Sequence, residues 1–141
     1  MTEEVCNSSN QVFFRGEYLP TDNMLNCEWI GFIAEIEPSK EACNKVVELS
    51  KKYNSSCVLN DNRNQTGPWP KIDDWLENHW MPSLAAAGVK FIAHIHSPNV
   101  FTNFSAQKHF KDTKHGIEFK HFQDEEEAKN WLKEMAKEIG M

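Results

Sequence analysis

Two histidines, His94 and His96, are spaced as metal ligands on a strand would be. Alternate residues of a β-strand point to the same face, so both imidazoles would lie side by side, as in many metal sites built on strands. A third ligand would have to come from elsewhere in the chain, from His79, His109 or Asp61. We therefore interpret the pair as packing or surface histidines and predict neither a bound metal nor a cofactor.

A second pair with possible chemistry is Ser105 and His109, which lie one helical turn apart. A hydrolase would also need an oxyanion hole and an acid that orients the histidine, and the sequence identifies neither. The chain has no Gly-x-Ser-x-Gly motif, phosphate-binding loop or dinucleotide-binding glycine pattern. The sequence therefore predicts a protein that is not an enzyme.

The ends of two predicted strands offer a binding site instead. Ligands of parallel α/β sheets bind outside the carboxyl ends of the strands, and two such ends fall at Asn60–Arg63 and His96–Phe101. If the strands are neighbours, one crevice would be surrounded by Asp61, Arg63, Trp69, His96, Ser97, Asn99 and Phe101. Such a crevice suits a small anionic or planar molecule. The alternative is that Asp61 and Arg63 only brace the loop.

The element that positions the second strand end runs from Trp69 to His96. A helical repeat is formed by Ile72, Trp75, Leu76, His79, Trp80, Leu84 and Ala87. Gly88 can end this helix, an apolar strand follows, and Pro82 predicts a kink near Trp80. The apolar stripe is wide, so we expect one of Trp75 and Trp80 in the core and the other near the surface, in a possible homodimer contact.

The remaining elements follow from the same patterns. We predict strands at 11–18, 24–36, 56–61, 89–96 and 117–122, and helices at 37–53, 70–87, 102–114 and from Asp124 onward. A loop should occupy 62–70, and Asp124 with Glu127 forms a capping-box-like helix start. The order is ββαβαβαβα, an α/β mixed sheet of about five strands with about four helices. Its N-terminal hairpin is antiparallel and its later strands are parallel.

Composition limits the class of protein. The 141 residues form one predicted domain, 1–141, of which the polar residues 1–10 should be flexible. A net charge of −6 without a basic stripe argues against nucleic acid as a partner. We find no secretion signal and no run of ~18 apolar residues, and the four cysteines form no Cys-x-x-Cys pair. We expect a cytoplasmic protein with free thiols and no membrane span.

Two blocks of residues carry a resemblance to a known family. The first is Trp75-x4-Trp80-Met-Pro82-x5-Gly88-Val-Lys90, and the second is Glu126-Glu-Ala-x2-Trp131-Leu132. With the segment at Asp61, they make residues 24 to 135 similar to the SpoIIAA-like, STAS-related proteins, which are small bacterial domains. The resemblance implies the fold of the anti-sigma-factor antagonists, shared more loosely by the lipid-binding Sec14 or CRAL-TRIO domains.

The resemblance also implies a function. Anti-sigma antagonists are switched by phosphorylation of a Ser or Thr beside an Asp, but 61–70 has no Asp-Ser pair, and its sole hydroxyl belongs to Thr66. Thr66 is thus a phosphoacceptor candidate, and the alternative is a threonine that only bonds its own turn. We expect a non-enzymatic STAS-like binding or regulatory domain with a regulatory protein partner. The alternative is a carrier of a small apolar or anionic ligand or a lipid.

Overall fold

The computed structural model describes residues 2–66, 70–97 and 111–140. Within these ranges a single sheet contains seven strands. They are β1 (Thr2–Cys6), β2 (Val12–Leu19), β3 (Met24–Phe32), β4 (Cys57–Thr66), β5 (Phe91–Ile95), β6 (Lys111–Lys114) and β7 (Ile117–Phe122). The helical elements are α1 (Ile36–Tyr53), α2 (Asp73–Trp75), a π-helical turn (Leu76–Trp80), α3 (Met81–Ala86) and α4 (Glu125–Glu138).

The sheet is mixed, as predicted. Its strand order is β1-β2-β3-β4-β5-β7-β6. The pairs β1–β2, β2–β3 and β6–β7 are antiparallel, whereas β3–β4, β4–β5 and β5–β7 are parallel. The predicted antiparallel hairpin followed by parallel strands is confirmed, and the described chain adds β1 and β6 to the five strands expected.

Helices cover both faces of the sheet. One face, here called the α1 face, packs Val58 of β4 and Ile92 of β5 against α1 and α3. The opposite face, the α4 face, packs Leu59 and Ala93, the next residues along the same strands, against Trp131 of α4. Because both faces of the central strands are buried, these strands are apolar at consecutive positions rather than at alternate ones.

The first strand lies where the sequence predicted flexible residues. Thr2–Cys6 pairs with β2, and Val5 is opposite Phe14. Val5 is only 2% exposed, and it is the single buried side chain of β1. One apolar residue among polar ones is too weak a pattern to predict an edge strand, whose order depends on backbone pairing with a longer neighbour.

Pro82 is accommodated by a change of helix type. The backbone N–H of Met81 donates to the carbonyl of Leu76, five residues back, which is the bond of a π-helical turn. The wider turn relieves the clash that a proline ring makes with the carbonyl four residues earlier. Trp80 is buried and its Nε1 donates to the Cys43 carbonyl at 2.7 Å, while Trp75 is partly exposed. One tryptophan in the core and one near the surface is as predicted.

Three predicted segments were wrong. The strand expected to reach residue 36 ends at Phe32, and α1 begins at Ile36. The loop expected from Asn62 is strand as far as Thr66, because the backbone of these polar residues pairs with β3, as in the pair Thr66 and Phe32. The helix expected over 102–114 is strand at Lys111–Lys114, and its residues 102–110 lie outside the described chain. His115 and Gly116, with φ of 54° and 80°, form a two-residue turn that joins β6 to β7. Positive φ at both positions is the geometry of a type I′ hairpin.

Other local predictions agree with the structure. Asp124 caps α4, since its Oδ2 accepts the backbone N–H of Glu127 at 3.1 Å. The four cysteines are free, as expected. Among the described residues, no helix combines the length and the apolar character needed to cross a membrane.

Candidate functional site

The parallel strands β4, β5 and β7 lie side by side, so the two predicted strand ends are neighbours. Asp61 pairs with Ile95 and Ile95 pairs with Phe122, the last residue of β7. The strand β4 continues five residues beyond Asp61, to Thr66. The carboxyl ends of β5 and β7 therefore lie beside the middle of β4, where its residues become polar.

A row of polar side chains crosses these strands on the α1 face. Asn60, His94 and His121 occupy the same register on β4, β5 and β7. Asn60 is 3% exposed, and its Oδ1 accepts the indole N–H of Trp29 on β3 at 3.2 Å. We call Asn60, His94 and His121 the polar row. Two residues earlier on the same face of β4 and β5, the corresponding side chains are the apolar Val58 and Ile92.

His96 joins the polar row from the end of β5. Its Nε2 lies 2.9 Å from Nδ1 of His121. A hydrogen bond at this distance requires one of these nitrogens to carry the hydrogen and the other to accept it. The backbone N–H of His96 also donates to the carbonyl of Phe122 at 2.8 Å, so both backbone and side chain tie the end of β5 to β7.

The aromatic rings of this region are nearly parallel. The His94 ring stacks with those of His121, His96 and Phe119, with centroids 5.1, 5.8 and 5.8 Å away and interplanar angles of 19°, 15° and 9°. The lone pairs of stacked imidazoles lie in separate ring planes and do not converge on one point. Accordingly, the described residues contain no group of three His, Cys, Asp or Glu side chains arranged to hold a metal ion.

Burial keeps the imidazoles of His94 and His96 uncharged at neutral pH. It lowers the pKa of His94 well below the usual value of 6.5, and the neighbouring His121 and His96 lower it further. Burial, followed by the proximity of His121, lowers the pKa of His96 to about 4. At neutral pH these rings therefore offer hydrogen-bond donors and acceptors without a positive charge.

Asp61 and Arg63 lie on the opposite side of the sheet, because successive strand residues alternate between faces. Arg63 Nε donates to Asp61 Oδ1 at 2.9 Å, and Nη2 donates to Asp61 Oδ2 at 2.7 Å and to Glu125 Oε1 at 2.8 Å. These bonds, that to Asp61 foremost, raise the pKa of Arg63 above its ordinary value. The guanidinium thus braces β4 against the first turn of α4, and the trio carries one net negative charge.

The predicted crevice residues are therefore divided. The sheet separates Asp61 and Arg63 from His96, and Ser97 directly follows His96. Thr66 is exposed at the end of β4, several residues before the start of α2 at Asp73.

Several residues of interest fall outside the part of the chain that can be described. They are Trp69, Asn99, Phe101, Ser105 and His109. Of the predicted third metal ligands, His79 stacks on Trp75 of its own helix at 5.2 Å, and Asp61 faces α4.

Sequence reasoning missed Asn60, His121 and Phe119. Both β5 and β7 carry a histidine next to the last residue of the strand, His94 and His121. This shared position could have indicated from the sequence that the two histidines belong together. Using it requires knowing that β5 and β7 are adjacent and in which register. Neither fact follows from local patterns, because β6 intervenes in sequence between them.

Comparisons with known proteins show no family for this chain. No family model matches the chain, and no curated protein matches it. Among solved structures, the chain is similar to an uncharacterised DUF3478-family protein from Shewanella loihica PV-4, with 14% sequence identity over 93% of each chain and a TM-score of 0.47. That protein is described as having a SpoIIAA-like fold.

Proposed function

We propose that the chain is a non-enzymatic binding domain, and that its ligand is a small, planar, uncharged molecule bound at the polar row. The observation that carries this proposal is the register of Asn60, His94 and His121 across three adjacent parallel strands. A ligand that changes the stability of this end of the sheet would let the domain act as a regulatory module.

The energetic cost of the polar row favours a binding role. Taking an amide or imidazole out of water costs about 1–3 kcal/mol unless its hydrogen bonds are replaced. The bond from Trp29 to Asn60 and the bond between His96 and His121 offset this cost, but apolar residues at the same positions would continue the packing of Val58 and Ile92 with no polar group to pair. The row also lies towards the carboxyl ends of β5 and β7, where ligands of parallel sheets bind.

The chemistry of the row selects the class of ligand. Asn60 has no charge and His94 and His96 are uncharged near neutral pH, whereas the charged trio of Asp61, Arg63 and Glu125 lies on the α4 face. A charged ligand would thus lose its hydration without gaining a counter-ion from the row. Parallel rings favour flat ligands, since aromatic faces stack at offset distances of 4.5–7 Å.

Location in the cytoplasm is part of the proposal. All four cysteines are free, and Cys27, Cys43 and Cys57 are buried, which accords with a reducing compartment. Burial raises the pKa of Cys43 to about 12, so this thiol stays protonated.

A matched set of fragments tests the ligand class. Benzamide and uncharged nitrogen heterocycles should shift the amide NMR signals of β4, β5 and β7, whereas benzoate and benzylamine should not. His121→Phe should abolish these shifts. Lys120→Gln is the control, because Lys120 is the adjacent residue and its ammonium lies over Phe122 on the α4 face. Equal binding of charged and uncharged fragments, or binding that survives in His121→Phe, would contradict the proposal.

A further inference from the structure

A groove lies between α1 and residues 71–79, which include α2 and most of the π-helical turn. We propose that it docks a basic, amphipathic segment of a partner protein. This surface is separate from the polar row, so the inference does not depend on the proposed ligand. It would give the domain a second site, one that recognises a protein.

Three adjoining hollows make up the groove. The largest, about 740 Å³, lies between α1 and the residues Trp75 and His79. A second, about 500 Å³, shares Lys40 and Trp75 with the first, and a third, about 100 Å³, shares Pro38 with it. Because neighbouring hollows share wall residues, they form one continuous surface, here called the α1 groove.

The charge of the α1 groove is negative. Its two larger hollows are lined by five carboxylates and three lysines, namely Glu37, Glu41, Glu48, Asp73 and Asp74 with Lys40, Lys45 and Lys71. Lys45 pairs with Glu48 at 2.9 Å, and Lys40 approaches Glu37 at 3.9 Å. Glu41, Asp73 and Asp74 form no ion pair with any residue that the structure describes. A cationic partner would therefore meet three carboxylates that no described lysine or arginine neutralises.

Trp75 provides a binding surface for a cation. Lys40 Nζ lies over its ring, 5.4 Å from the centroid, while His79 stacks with the ring at 5.2 Å. The chain's own lysine thus shows that the indole face attracts a cation. An arginine from a partner would displace Lys40 and stack on the same face better than a lysine, because the guanidinium is planar and less strongly hydrated.

The other end of the α1 groove is apolar. Phe32, at the end of β3, is 63% exposed, and Ile36, at the start of α1, is 47% exposed. Ile36 lines the same hollow as Trp75, and Phe32 lines the same hollow as Pro38. An apolar end beside an acidic, aromatic wall matches a segment with apolar residues on one side and arginines on the other. Aromatic anchors of this kind dominate many interfaces.

A designed peptide tests the inference. The probe is a synthetic 14-residue amphipathic helix of Leu, Ala and Arg, compared with the same peptide carrying Glu in place of Arg. The arginine peptide should shift the NMR signals of residues 32–48 and 71–79. Trp75→Leu and Glu41→Lys should each weaken its affinity by about tenfold, since a central aromatic or a desolvated charge is typically worth more than 1 kcal/mol.

The control separates docking from general attraction between an acidic protein and a basic peptide. Glu126→Lys makes the same charge change in the exposed first turn of α4, on the other face, and should leave affinity within about twofold. An equal loss in Glu126→Lys, full affinity in Trp75→Leu, or binding of the glutamate peptide would overturn the inference. Shifts of residues 32–48 that appear on concentrating the protein alone would assign the groove to a second copy and would also overturn it. Phe32→Ser tests the apolar end if Trp75→Leu proves poorly folded by circular dichroism.

Discussion

His96 Nε2 and His121 Nδ1 are 2.9 Å apart, and this contact links the end of β5 to the end of β7 on the α1 face. Both residues are buried. A hydrogen shared between the two rings satisfies one nitrogen on each of them.

Removing one member of the pair should be costly. His121→Phe keeps a ring of similar width but takes away the partner of His96 Nε2, so we expect a loss of about 1–3 kcal/mol in the free energy of unfolding. Urea denaturation measures it. Lys120→Gln, one residue earlier and on the other face, should change stability by less than about 0.5 kcal/mol. If His121→Phe left the free energy of unfolding unchanged, the contact would contribute nothing to stability.

Acid should destabilise the protein through His94 and His96. The pKa of each is lowered in the folded state, so between pH 6.5 and about 4 the unfolded chain binds protons that the folded chain excludes. The contribution of these two histidines to the free energy of unfolding is therefore present in full above pH 6.5. It decreases as the pH falls, by at most about 1.4 kcal/mol per pH unit for each histidine.

Denaturation curves at several pH values test this expectation. The double variant His94→Asn, His96→Gln should show a shallower slope between pH 6.5 and 4.5 than the unmodified chain. Identical slopes would show that these two groups titrate alike in the folded and unfolded states.

The brace on the α4 face makes a separate prediction. Arg63→Gln leaves Asp61, whose side chain is only 11% exposed, without its bidentate partner, so we expect a loss of roughly 1–2 kcal/mol. Arg63→Lys should restore little of it, because an ammonium cannot reproduce the two parallel bonds. Glu125→Gln, at a more exposed position, should cost less. Full stability in Arg63→Gln would show that the bridge is energetically neutral.

Gly16 is a packing constraint that can be measured. A Cβ at this position would lie 2.8 Å from Leu49 Cδ1 and 3.2 Å from ring atoms of Phe14. Gly16→Ala should therefore lower the free energy of unfolding by about 1–3 kcal/mol. Adding Leu49→Val makes room, so the double variant should lose less than the sum of the two single losses. If the two losses in the free energy of unfolding simply added in the double variant, the strain caused by the alanine would not arise from its contact with Leu49.

Local sequence patterns predicted most of the fold. The hydrophobic pattern is strong in the central strands, because both faces of the sheet are buried there. The helix start at Asp124 is visible as a cap, and the strand Phe91–Ile95 is visible as an apolar run. The strand β6 was missed, since Lys111–Lys114 is polar and its pairing depends on a turn at His115-Gly116. Glycine is common both after the end of a helix and in hairpin turns. From the sequence alone, Gly116 was interpreted as the end of a helix.

The candidate site was less predictable than the fold. The sequence predicted a crevice at the carboxyl ends of two strands that included His96, but it interpreted His94 as a packing or surface residue and placed Asp61 and Arg63 in the same crevice. Side chains alternate along β4, so Asn60 lies on the α1 face and Asp61 lies on the α4 face. A shift of one residue in position therefore changes the face of the sheet on which a side chain lies. Only the register of three strands reveals that Asn60, His94 and His121 form a row.

The π-helical turn at Leu76–Trp80 makes the α1 groove sensitive to chain length. The bond from Met81 to the Leu76 carbonyl spans one residue more than an α-helical turn would, and this extra residue stands between Trp75 in the groove and Trp80 in the core. Deleting one residue from 76–79 would let the turn close as an α-helix and rotate everything before it by about 100°. A homologue shortened by one residue here would keep its core and lose the tryptophan from its groove.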